Sequence, residues 1–159
     1  METSYGVTDS CYVKASDTNE YLAVGLEDGT VHLFDLTRNA GKSYQKPVFK
    51  TKKAKKDAED LDETTYKQFA ETSYEHSDSV VSVEASADQN LFISASKDGF
   101  VILWQVKSAE EANGDDLLHY VTEQDVGEPV TKAKWLTSES ILVSTSAGSL
   151  FISKLAKDS

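Results

Sequence analysis

Residues 92–106 read FISASKDGFVILWQV. Two short runs of apolar and β-branched residues flank the turn Lys97-Asp98-Gly99, the pattern of a β-hairpin. Gly at the end of such a turn accepts positive φ, and the Asp before it can bond its own backbone. The same pattern stands at 22–36 (LAVGLEDGTVHLFDL), around Glu27-Asp28-Gly29, and at 142–155 (LVSTSAGSLFISKL), around Ala147-Gly148. Upstream of each hairpin lies another segment of period two: SCYVKA at 10–15, VVSVEA at 80–85 and VTKAKW at 130–135. Each unit therefore predicts three consecutive antiparallel strands, a meander, and none of the three has helical periodicity. Pro47 and Pro129, the two prolines, fall outside the strand cores. The chain reads as all-β.

The turn glycines are 70 residues apart (29 to 99) and then 49 apart (99 to 148). Strand units recurring at roughly 40–45 residues are the footprint of propeller blades, so the first interval holds an insertion of about 25–30 residues. Residues 38–75 supply it. Seven lysines lie between 42 and 56, followed by five acids in 57–63 (DAEDLDE). An outer strand is expected in 46–51 or 66–73, and LLHYVTE at 117–123 reads as the outer strand of the second unit. The organisation expected is blade one at 6–37, a charged insertion with an outer strand at 38–75, blade two at 76–123, and blade three at 124–156, lacking its outer strand.

In these residues the chain resembles the WD-repeat (WD40) β-propeller family. The second unit carries the motif best, with His76 before its first strand, Ser94 in the second, Asp98 in the turn and Trp104 in the third. The resemblance implies that these four form a buried hydrogen-bond chain from indole through hydroxyl and imidazole to carboxylate. Such a chain gives each polar group inside the blade a partner. There are departures. Glu75 stands where the family has Gly, and Gln105 where Asp follows Trp. The first unit keeps Asp28-Gly29 and Phe34-Asp35 but has no His before its first strand. In the third, Ala147 replaces the turn Asp and Ser153 replaces Trp.

Three blades do not close a ring, since the family's rings usually hold about seven. Each sheet needs a neighbour on both faces, and a terminal repeat otherwise exposes apolar surface. The expectation is a segment completed by further chain or by a protein partner through an open sheet edge. A homo-oligomer and a heteromeric complex both fit.

Composition narrows function. With a net charge of −11 and Arg38 as the one arginine, binding to nucleic acid is not expected. No apolar run reaches the roughly 18 residues of a membrane span. The start METSYGVTDS has neither a basic nor an apolar signal region. A single cysteine, Cys11, cannot build a disulfide framework and suits a reducing, intracellular setting, cytoplasmic or nuclear. His32, His76 and His119 show no metal-ligand spacing, no phosphate loop is present, and Glu27, Asp28 and Asp98 are explained by turn chemistry. Neither a catalytic residue, a metal nor a cofactor is expected.

The reading is a non-catalytic scaffold for protein–protein interactions within a larger assembly. The resemblance puts Glu27, Ser77, Asp78 and Lys97 in loops on one face of a propeller, as partner contacts, and Trp135 is a further candidate. The alternative is a module for polyanions or anionic membrane surfaces using the basic tract Lys46, Lys50, Lys52, Lys53, Lys55 and Lys56.

Overall fold

The computed structural model describes residues 6–17, 19–36, 69–73, 75–87, 90–108 and 117–155. Among them the fold is all-β, in three antiparallel sheets. The first sheet holds β1 (Val7–Ser16), β2 (Asn19–Leu26), β3 (Val31–Asp35) and β4 (Phe69–Ser73), in that order. The second holds β5 (Val80–Ala85), β6 (Leu91–Ser96), β7 (Phe100–Val106) and β8 (Leu118–Asp125). The third holds β9 (Val130–Trp135), β10 (Ser140–Thr145) and β11 (Leu150–Lys154). Each sheet is a meander: the turns joining its first three strands are too short for anything but an antiparallel return, and β4 and β8 add antiparallel at the outer edge after longer connections. The first strands β1, β5 and β9 lie side by side, which sets the sheets around a common inner edge as in part of a propeller.

Alternation along the strands builds two cores. Val83, Phe92, Ile102, Trp104 and Val106 of the second sheet meet Val13, Tyr21, Ala23, Val31 and Leu33 of the first. Leu91, Ile93, Ala95, Val101 and Leu103, on the opposite face, meet Val130, Ala133, Ile141 and Val143 of the third. The inner strands of the middle sheet are therefore covered on both faces, and all six residues of β6 are buried. On the outward face of the third sheet, Leu150 and Ile152 are 67% and 66% exposed. Their counterparts one repeat earlier, Val101 and Leu103, are at 0% beneath that same sheet.

Glycine is required at the hairpin turns by the backbone conformation. Gly29, Gly99 and Gly148 all take φ near +88 or +89, a region that other residues enter only with strain. At Gly29 an added Cβ would also lie 2.7 Å from the His76 carbonyl oxygen and 2.8 Å from that of Asp78. The turn of the first sheet thus presses against the loop that enters the second.

Candidate functional site

The motif residues of the second unit meet in one chain of hydrogen bonds. The Trp104 indole N–H donates to Ser94 Oγ at 2.8 Å. The Asp98 carboxylate can only accept, so His76 Nδ1–H donates to its Oδ2 at 2.9 Å, and the bare Nε2 of the neutral ring accepts the Ser94 hydroxyl proton at 2.7 Å. Asp98 also accepts the backbone N–H of Ser77 and of Phe100, at 3.0 and 2.9 Å. Trp104 lies against Phe92, stacked at 6.3 Å, and edge-on to Tyr120 at 5.8 Å. Burial lowers the basicity of His76 more than the adjacent Asp98 raises it, so the imidazole stays neutral near pH 7. A neutral histidine whose two nitrogens are both engaged inside a sheet holds strands together; it has no free position for a substrate.

The loop after His76 is fixed to two sheets. Ser77 N–H reaches Asp98, Ser96 Oγ donates to the Asp78 carbonyl at 2.9 Å, and Ser79 Oγ donates to the Glu27 carbonyl at 2.5 Å. Glu27, Ser77, Asp78 and Lys97 thereby come together at one end of the sheets, all exposed. Between the first two sheets at this end opens a cleft of about 390 Å³ lined by Thr8, Glu27, Ser79, Val81 and Lys97. Thr8 and Val81 are the residues bulged out of the ladders of β1 and β5.

Trp135 is not part of this rim. It ends β9, so it belongs to the opposite end, where its indole N–H donates to the Glu84 carbonyl at 3.0 Å. There it lines a groove of about 320 Å³ with Ala85, Ala87 and Leu136. The basic tract, Lys46, Lys50, Lys52, Lys53, Lys55 and Lys56, lies outside the described residues. Cys11 is half-buried against the first core, and burial together with the charges of Asp9 and Glu84 pushes its thiol up to about 12. At neutral pH it is a thiol, not a nucleophile.

Sequence reasoning missed one arrangement. The third sheet lacks a turn Asp, yet Glu128, from the loop before β9, accepts Thr145 Oγ1 at 2.5 Å and Ser149 Oγ at 3.4 Å. A carboxylate from a different loop closes this turn. The signal was an acid next to Pro129, and it had no distinguishing spacing.

Comparison with known proteins agrees with this geometry. The family model described as "WD domain, G-beta repeat" matches residues 68–105. This segment is similar to a WD repeat. It spans β4 to nearly the end of β7 and contains His76, Ser94, Asp98 and Trp104. Among solved structures, Sqt1 of Saccharomyces cerevisiae, itself a WD40 protein, is similar with a TM-score of 0.58 at 14% identity. The similarity covers 99% of this chain and 35% of that one, so the chain spans about a third of the length of that WD-repeat structure. Comparison with curated proteins gives no match. Among the described residues no group of His, Cys, Asp and Glu is placed to hold a metal, and no helix is long and apolar enough to cross a membrane.

Proposed function

We propose that the chain is a non-catalytic protein-interaction scaffold, and that it binds through the rim formed by the 27–29, 76–79 and 97–99 loops. The observation that carries this reading is how the rim is built. Its backbone is tied down by Ser77, Ser79 and Ser96, while Glu27, Ser77, Asp78 and Lys97 stay exposed. Loops held in one conformation lose little entropy on binding, which favours recognition of another protein's surface. His76 and Asp98 are spent on the fold, and burial keeps the thiol of Cys11 protonated.

The test is affinity purification of the tagged chain from cells, followed by mass spectrometry. A Glu27→Lys/Lys97→Glu variant is expected to lose its partners. A variant with Lys52, Lys53, Lys55 and Lys56 changed to Glu is expected to keep them. The opposite pattern would move the binding surface to the basic tract and favour the polyanion reading.

A further inference from the structure

The turn between the second and third strand of each sheet presents one side chain at the same place, two residues before its glycine. In the first sheet it is Glu27, in the second Lys97 and in the third Ser146. Neighbouring sheets therefore show an anion and a cation at equivalent positions, and both of these residues line the cleft between them. Both are exposed. Between them, Val81 offers an apolar, half-buried wall. The hydroxyls of Thr8 and Ser79 already donate to the carbonyls of Val80 and Glu27, so the polar wall is set and turns few free donors to a ligand.

From this arrangement we infer that the cleft takes an extended peptide segment with an apolar side chain flanked by a basic residue on one side and an acidic residue on the other. The inference rests on the rim reading above and gives it a chemistry. The basic side chain meets Glu27 on the first sheet, and the acidic one meets Lys97 on the second. A volume of about 390 Å³ accommodates a small side chain with its backbone, not a folded element. A segment lying with its charges reversed sets like charges against each other at both ends, so the cleft fixes which end of the segment lies on which sheet. The overall −11 charge of the chain attracts the basic end over a distance, while Lys97 supplies the local exception that fixes the orientation.

The experiment is selection of a phage-displayed random heptapeptide library on the full chain, followed by titration of the selected peptides and NMR mapping of backbone amides. Enrichment of an apolar residue flanked by one basic and one acidic residue is expected, with amide shifts confined to residues near 8, 27, 79, 81 and 97. Glu27→Lys is expected to weaken the selected peptides roughly tenfold, as attraction turns into repulsion, and a peptide with an acid in place of the base restores binding. Lys97→Glu does the same at the other end. Both residues are exposed, so thermal unfolding of each variant should match the parent and separate lost binding from lost fold. Peptides that map to the rim but bind both variants as tightly as the parent overturn the charge-ordered cleft and leave the rim reading intact. Peptides that map elsewhere, or failure to select any, overturn both.

Discussion

The carboxylate of Asp9 on β1 accepts a hydrogen bond from the backbone N–H of Val83 on β5, at 3.0 Å. Lys132 on β9 approaches the same carboxylate at 3.6 Å. One side chain therefore joins the inner strands of all three sheets. Asp9→Ala leaves the Val83 N–H without its partner and should cost about 1–3 kcal/mol. Asp9→Asn, which keeps an acceptor, should cost less. Lys132→Ala removes a half-exposed ion pair worth roughly 0–1 kcal/mol. Urea denaturation of the three variants measures the order, and equal losses for Asp9→Ala and Lys132→Ala would contradict it.

Trp104 is 2% exposed and ends the hydrogen-bond chain of the WD repeat. Trp104→Ala should destabilise by about 3–5 kcal/mol through loss of a buried aromatic. Ser94→Ala removes little volume but strands the indole N–H and the imidazole Nε2 together, at a cost of roughly 1–3 kcal/mol. Thermal melts give both values. A near-neutral Trp104→Ala would mean that the chain does not stabilise the sheet.

His76 makes stability depend on pH in one direction. Burial holds its native pKa below the ordinary 6.5, so between the two values the unfolded chain binds a proton that the native chain does not. Its contribution is complete above about pH 6.5, falls as the pH drops below that, and levels off under the native pKa. Urea midpoints measured from about pH 8 to pH 5 should show this decline, and His76→Gln should flatten it relative to the parent. A parent profile with the same slope as His76→Gln would remove the assignment.

Gly29 and Gly148 share a positive φ but differ in surroundings. Nothing lies within 4 Å of a Cβ at Gly148, whereas at Gly29 two carbonyl oxygens lie within 2.8 Å. Gly148→Ala should cost about 1–2 kcal/mol, the left-handed penalty alone. Gly29→Ala should cost clearly more and should loosen the 76–79 loop, seen as faster amide exchange at Ser77 and Ser79. Equal costs would show that the two turns are equally unconfined.

The hairpins were legible because Asp-Gly turns and period-two alternation are local signals, and the residues of the WD repeat stood at readable positions. What the sequence did not disclose depends on contacts between sheets. Asp9 looks like any strand-edge acid until Val83 is seen beside it, and Glu128, distant in sequence, closes the neighbouring 146–149 turn. Trp135 was a separate candidate at the end of a strand, and its direction along β9 puts it at the end away from the rim. Glu27 and Lys97 were separately visible; that they flank one cleft follows only from packing the first sheet on the second.

Strand β6, buried on both faces, has a consequence for how the chain finds its fold. In a strand with one wet face, sliding by a residue exposes the apolar set and is rejected at once. In β6 a slide of one residue merely exchanges the contents of two equally dry cores, so hydrophobicity cannot reject it. The penalty falls on the polar residues instead: Ser94 would turn away from Trp104 and His76, and Gly99 would leave its turn. The hydrogen-bond chain thus acts as an alignment key, sensing an error to which the oily residues around it are blind.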